Sequence, residues 1–270
     1  MADSPQVSEH TYRRDDGLVE DIERATLHAV SPDRLVALPR WLLPLDACSI
    51  GRTHAAVPLT HELTEADVGQ IAAIEAVYRT DCLAPMFRLP RGDSAVHRSL
   101  RSRGYSEHDP TWVMRCTLNT DSALLGGTGD AGSAVSVAVA TSASEDWAAV
   151  FLGPGFDAAD GAARAAHLGR ASGTRFYSAR SDGGDVPDGL HAVGAACWLG
   201  DWVGIHGMRT LAALRGRGLA RAILRRMAQD AWAAGQRQLF LQVGADNPAR
   251  LLYQRLGFAH SWTYAYWRCA

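Results

Sequence analysis

The run Arg215-Gly216-Arg217-Gly218-Leu219-Ala220 stands between a strand-like segment and a long helical one. Its residue types suit phosphate binding. Glycines let a backbone approach a ligand closely. The first N–H groups of the helix that follows have no intrahelical partner, and the positive end of the helix dipole lies there too. Together they make an anion site suited to a pyrophosphate, to which Arg215 and Arg217 add charge. Taken alone, the same residues would also serve as a basic surface turn. Other chemistries lack their residues. The ten histidines and five cysteines show no zinc-ligand spacing, so no metal is expected. There is no GxSxG elbow and no GxxxxGKS/T loop.

The elements that would position this turn are legible around it. Thr174 to Arg180 reads as a strand. Leu190 to Leu199 and Trp202 to Leu211 read as two more, joined by the hairpin-type turn Gly200-Asp201. A helix is expected over Leu219 to Ala234, ended by Gly235. Leu239 to Val243 is a strand, Pro248 to Leu256 a short helix, and Ser261 to Arg268 a last strand rich in aromatics. With a helix over Phe156 to Gly169 in front, the order is helix, three antiparallel strands, helix, strand, helix, strand: a mixed α/β layer fold. Earlier in the chain, helices are expected from about Leu18 and over Val68 to Val77, and a strand over Met86 to Leu89. Thr120 to Ser133 is almost all Gly, Ala, Ser, Thr and Asp, which reads as a linker.

The chain has 270 residues, 47% of them hydrophobic and 21% charged, enough for a sizeable core in two domains or one large one. The net charge of −2 gives no reason to expect nucleic acid or an anionic membrane as partner. No apolar run reaches the roughly 18 residues that span a bilayer. Met1 to Asp16 is polar and mixed in charge, unlike a signal peptide. Cys48, Cys82, Cys116, Cys197 and Cys269 are scattered and odd in number, as expected for reduced thiols in a cytoplasm. All 27 basic residues are arginine, so the protein has no lysine of its own to modify.

A weak internal repeat appears when the chain is slid on itself by 153 residues. Gly51 falls on Gly204, Phe87 on Phe240, Gly104 on Gly257, Tyr105 on Phe258, Arg115 on Arg268 and Cys116 on Cys269. Two copies of one fold are expected: a flexible 1–17, a degenerate copy over 18–119, a linker over 120–133 and a catalytic copy over 134–270. The copies differ where it matters. Arg215 to Ala220 falls on Glu62 to Asp67, whose acids Glu62, Glu65 and Asp67 would repel a phosphate. Only the second copy can hold a cofactor this way.

Two blocks carry a family resemblance. Arg215, Gly218 and Ala220 match the pattern Q/R-x-x-G-x-G/A. Asn247 to Phe258 (NPARLLYQRLGF) is close to N-x-A-x-x-L-Y-x-x-x-G-F, one helix and one strand downstream. In these the sequence resembles the GNAT (Gcn5-related N-acetyltransferase) superfamily, strongly over Gly189 to Arg268 and more weakly over the first copy, as in tandem bacterial GNAT proteins. The resemblance implies an acyl-CoA N-acyltransferase fold. It also implies transfer of the acetyl group of acetyl-CoA to a primary amine, by direct attack in a ternary complex.

The resemblance also implies where the parts lie. The strands Trp202 to Leu211 and Leu239 to Val243 would splay, and the pantetheine arm would pair with backbone between them. Met208, Arg209 and Thr210 would hold the arm, the Met208 N–H facing the thioester carbonyl. Arg215, Gly216, Arg217, Gly218, Leu219 and Ala220 would hold the pyrophosphate. Tyr253 matches the general acid for the leaving thiolate. Asn247 is either a pantetheine contact or a helix N-cap. The family's glutamate position is occupied here by Gly204. His206 lies two residues on, where period-two geometry puts it on the face of Gly204 and Met208, and imidazole titrates in the range to accept an ammonium proton. Tyr264, Tyr266 and Trp267 wall either the acceptor site or the core. Glu62, Glu65 and Asp67 would attract a cationic acceptor if they face the cleft, and otherwise form a solvated helix start. Two alternatives remain: a non-catalytic acyl-CoA-binding regulator, and an aminoacyl transferase, which the near-neutral charge disfavours. A monomer or homodimer is expected.

Overall fold

The computed structural model describes residues 16–48, 50–126, 134–153, 158–182 and 188–269. The expected flexible terminus, the second half of the linker, the start of the helix expected at Phe156 and part of the turn after Arg180 lie outside the described residues. The first half of the chain forms α1 (Asp16–Val30), β1 (Arg34–Leu38), β2 (Trp41–Leu45), α2 (Gly51–His54), β3 (Val57–Pro58), α3 (Glu65–Thr80), β4 (Met86–Pro90), α4 (Ala95–Ser102) and β5 (Tyr105–Thr117). The second half forms β6 (Ala134–Ala140), α5 (Glu145–Leu152), α6 (Ala158–Arg170), β7 (Thr174–Asp182), β8 (Ala192–Leu199), β9 (Trp202–Thr210), α7 (Leu219–Ala233), β10 (Gln238–Gly244), α8 (Ala249–Arg255) and β11 (Ala259–Cys269). No helix among the described residues is long and apolar enough to cross a membrane.

The mixed α/β class expected from the sequence is the one observed, and the internal repeat is a structural one. A displacement of 153 residues carries α3 onto α7, β4 onto β10, α4 onto α8 and β5 onto β11. Gly104 and Gly257 close the two short helices with matching φ of +85° and +94°.

The copies are interleaved. A small sheet runs β1-β2-β3, and a larger one runs β4-β11-β5-β10-β9-β8-β7-β6. The last strand of the first half, β5, therefore lies against β10 of the second, and β11 lies against β4 of the first. The two exchanged strands pair antiparallel with each other at the middle, Ala259 opposite Arg115 and Cys269 opposite Tyr105. The 120–133 segment thus divides the chain but not the sheet.

Helix packing explains why the central strands read as continuous apolar runs rather than alternating ones. β8 is buried along Ala192 to Cys197. α7 covers one face with Leu219, Ile223, Leu224, Met227, Ala228 and Ala231, a stripe at helical spacing. On the other face Trp147, Val150 and Leu168 of α5 and α6 pack on Val193 and Ala195. α1 belongs to the first half by sequence, yet its Ile22 and Ala25 pack on Trp202, Phe240 and Tyr264 from the second. The first copy has its own core of Trp41, Ile71, Ile74, Tyr78, Phe87 and Trp267.

Candidate active site

β9 and β10 run parallel and pair only from Trp202–Gln238 to Ile205–Leu241. Beyond Ile205 the strands part. A cavity of about 260 Å³ opens there, lined by β9 from Ile205 to Arg209, β10 from Leu241 to Gly244, Asn247 ahead of α8 and Tyr253 within it. Among the described residues, the equivalent segments of the first copy are joined by an isolated bridge, Ala56 to Phe87.

A β-bulge shapes the mouth. Ala195 of β8 faces His206, but Val193 faces Arg209, so β9 carries an extra residue opposite Gly194. Gly207 takes φ +61°, a left-handed conformation that glycine adopts without penalty. A bulge leaves a residue off the ladder and re-aims side chains. This corrects the period-two expectation for Met208. Its side chain points towards Gly194 and Met227 under α7, whereas His206 lies on the opposite face with Gly204 and Phe240. Gly207 and Met208 both line the cavity.

His206 is 4% exposed, and neither ring nitrogen has a hydrogen-bond partner among the described residues. Burial, then the charge of Arg52, hold its pKa down to about 3. The expectation that this imidazole titrates near neutrality is therefore corrected. It is neutral at physiological pH, with one ring nitrogen a donor and the other an acceptor. Tyr253 is 7% exposed, and burial pushes its hydroxyl up to about 12. It packs edge-on against Phe258 and keeps its proton.

Asn247 lines the cavity, and its Oδ1 accepts the Ala249 N–H at 2.9 Å; the N-cap position of α8 itself falls on Pro248. Arg215 to Gly218 form an exposed turn ahead of α7, with Gly216 at φ +80° and Gly218 at φ +81°. A side chain added at either glycine would meet open space. Leu219 turns inward into the α7 core. Arg209, at the cavity, has its pKa lowered by burial and by the charge of Arg215, so the basic turn lies within electrostatic reach of the cavity mouth.

A second cavity, of about 390 Å³, shares Ile50, Arg52, Arg164, Gln242 and Gly244 with the first. Tyr264 and Tyr266 wall it, while Trp267 belongs to the first copy's core. The acids expected to draw a cation are elsewhere. Glu62 and Glu65 are solvent-exposed. Asp67 is wholly buried, where it accepts the Thr64 N–H at 2.8 Å and the Trp41 indole N–H at 3.3 Å. Sequence reasoning missed α2, whose Arg52 reaches both cavities; four residues are too few to show a helical period.

Distance in sequence also hid a cluster of Asp46, Cys48 and His167, whose ligand atoms lie within 4.8 Å of one another. Asp46 already accepts the backbone N–H groups of Asp33 and Cys48, and Arg170 stands 3.8 Å from it. That arrangement satisfies the carboxylate with groups of the protein itself.

Residues 188–267 match the family model described as FR47-like protein. No curated protein matches the chain. Among solved structures, a GCN5-related N-acetyltransferase from Kribbella flavida is similar, with TM-score 0.68 and 17% identity over 93% of this chain and 95% of that one. A tandem GNAT protein from the clavulanic acid biosynthesis pathway has TM-score 0.56 and 14% identity over 94% of each chain. A GNAT-family acetyltransferase structure from Novosphingobium aromaticivorans has TM-score 0.54 and 17% identity, covering 93% of this chain and 99% of that one. At these identities the likeness is one of fold, and it extends across both halves. The splayed strands, the bulge and the glycine turn thus lie in a chain with the tandem fold of the GNAT superfamily, its second half FR47-like.

Proposed function

We propose that the protein is an N-acetyltransferase that moves the acetyl group of acetyl-CoA to a primary amine in the second copy's cleft. The observation that carries this reading is the cleft itself: parallel pairing stops at Ile205, the bulge at Gly207 and Met208 faces the opening, and Tyr253 lines the same space. A cytoplasmic location goes with the reading.

The residues divide the work. The turn from Arg215 to Ala220 takes the pyrophosphate of the co-substrate with backbone N–H groups and two guanidinium charges. The pantetheine arm lies along Met208 to Thr210 and beside Asn247. The free amine attacks the thioester carbonyl carbon, and the Met208 N–H donates to the oxygen on which negative charge develops. As the C–S bond breaks, the thiolate sulfur takes the Tyr253 hydroxyl proton. A phenol held near pKa 12 is protonated when needed and regains its proton from solvent. His206 does not store the amine's proton; as a neutral imidazole it accepts a hydrogen bond from the amine and orients it. The proton shed on amide formation goes to solvent. The first copy supports the cleft through its exchanged strand and α2.

The test is calorimetric titration of acetyl-CoA and CoA into the wild type, Arg215→Glu/Arg217→Glu and Gly218→Trp, followed by thiol release across an amine library. Arg215→Glu/Arg217→Glu should melt like the wild type, since the turn is exposed. Gly218→Trp, at φ +81°, should melt lower by about 1–2 kcal/mol of backbone strain, so its loss of binding is read below its own transition. Binding by the wild type alone and thiol release with an amine support the reading. Binding without turnover of any amine would leave an acyl-CoA-binding regulator, and no binding would overturn both.

A further inference from the structure

The charge of the second cavity bears on which amine is accepted. Among the described residues its charged lining is Arg52, Arg164 and Arg268 and one acid, Asp109, which pairs with Arg268 at 3.5 Å. Arg52 is held in place rather than loose. Its Nη1 donates to Gln242 Oε1 at 3.1 Å, and Gln242 is fixed by the Tyr264 hydroxyl at 3.0 Å and by its own donation to Thr26 at 2.9 Å. Arg52 makes no ion pair with a carboxylate among the described residues. The buried carboxylate Glu23, whose ionisation feels Arg52, is gripped by both Nη atoms of Arg88. Of the five N–H donors of a guanidinium, one is used by Gln242, and the planar fork suits a carboxylate. Beside it stands His206, nine-tenths buried and lining the first cavity, with both ring nitrogens unpartnered among the described residues.

We infer that the acceptor is a small amino-carboxylate, an amine with an acid group a few bonds away, whose carboxylate binds Arg52 where the two cavities meet while its amine faces His206 and Met208. This rests on the proposed acetyltransferase reading. It reverses the cationic acceptor that the acids of the first copy suggested. The short reach follows from Arg52 lining the same cavity as His206, Met208 and Tyr253. The exchanged strands would thus place specificity partly in the first copy, which supplies Arg52, and chemistry in the second.

The test uses the twenty standard amino acids, β-alanine and γ-aminobutyrate, each with its decarboxylated amine where one exists, and phosphoethanolamine as a phosphate arm. Turnover is followed with acetyl-CoA, and binding of the N-acetylated forms by calorimetry with CoA present. At least one carboxylated member should bind or react 10-fold or more better than its decarboxylated partner. Arg52→Met should remove that preference while leaving CoA affinity unchanged. His206→Gln should retain it. The binding arm separates the two readings: N-acetyl amino acids that bind through Arg52 without any turnover would keep the anion site and sink the catalytic one. Equal or better use of the decarboxylated amines, a preference for phosphoethanolamine, or no carboxylated member that binds would overturn the inference.

Discussion

The Nε2 of His206 lies 2.6 Å from the point where a Cβ on Gly204 would stand, so the imidazole occupies the volume that any other residue at 204 would need. The two positions are a compensating pair on one face of β9. Phe240 closes the same space, its ring 2.8 Å from that point. Gly51, the repeat partner of Gly204, faces a ring in the same way, with Tyr266 2.8 Å from its absent Cβ.

Gly204→Ala should therefore displace the imidazole and cost about 1–3 kcal/mol, as overpacking does. His206→Ala added to it should recover part of the loss, because Phe240 still crowds the new methyl. A double-mutant cycle in urea reads the coupling, expected at about 0.5–3 kcal/mol for residues in contact. Additive losses would show that the ring moves aside freely.

The ionisation of His206 ties stability to pH. Its folded pKa, about 3, lies below the ordinary 6.5, so the unfolded chain takes up this proton first as pH falls. Stability should fall as pH drops below 6.5, at up to about 1.4 kcal/mol per pH unit from this group. His54 and His97, also lowered by burial, act in the same direction. His206→Gln should flatten the dependence of the urea midpoint between about pH 7 and pH 5. Parallel curves for variant and wild type would contradict the assignment.

Glu23 and Arg88 form a buried pair, 3% and 1% exposed, beneath the tyrosine wall of the second cavity, with Arg88 4.9 Å from the centre of the Tyr264 ring. Glu23→Gln strands the guanidinium and should cost about 3–5 kcal/mol, whereas Glu23→Leu/Arg88→Met should recover most of it. Chemical denaturation decides. A single variant as stable as wild type would mean that water reaches Arg88.

The halves should not fold alone. Residues 134–270 lack β5, which covers the edge of β10, and both β4 and β5, between which β11 lies. An exposed edge of this length invites self-association. Expressed alone, this half should elute as a dimer or aggregate in light scattering, and co-expression with residues 1–126 should yield a 1:1 complex. A folded, monomeric half would show that β11 can return to β10.

Much of this architecture was legible because its signals are local. α7 carries a helical stripe and a closing glycine, β8 and β9 a two-residue turn, and the Arg215 to Ala220 turn two glycines at a strand–helix junction. The displacement of 153 residues was readable too, since Gly104 and Gly257 need the same left-handed turn. What stayed hidden depends on contacts between distant segments. Nothing within β5 or β11 announces that they exchange partners, because either aromatic strand pairs equally well with its own copy. The bulge did leave a trace: Gly207 inside a strand pattern is a bulge signal, but strict alternation through it put Met208 on the wrong face. Of the two readings open for the acids at 62–67 the helix start is the one observed, since a capping residue and a ligand-facing acid look alike in sequence. Arg52 was silent, since only the fold of the first copy brings it to the second copy's cleft.

Tyr253 gives the sharpest test of the chemistry. The residue is buried and lines the cavity, burial holds its hydroxyl as phenol, and its ring packs on Phe258. Tyr253→Phe keeps the ring and removes only the donor. The urea midpoint should stay within about 1 kcal/mol, the net worth of an ordinary hydrogen bond. CoA affinity should be unchanged, while kcat falls by about 100-fold or more, the usual worth of a positioned general acid. The pH profile adds an independent constraint. With His206 near 3 and Tyr253 near 12, neither protein group titrates between these limits. The wild-type kcat/KM should therefore rise with the free-amine fraction of the acceptor, show no inflection near 6.5, and shift with acceptor pKa when a less basic amine is used. An inflection that stays put when the acceptor changes would assign the proton to another group and remove His206 and Tyr253 from their proposed roles.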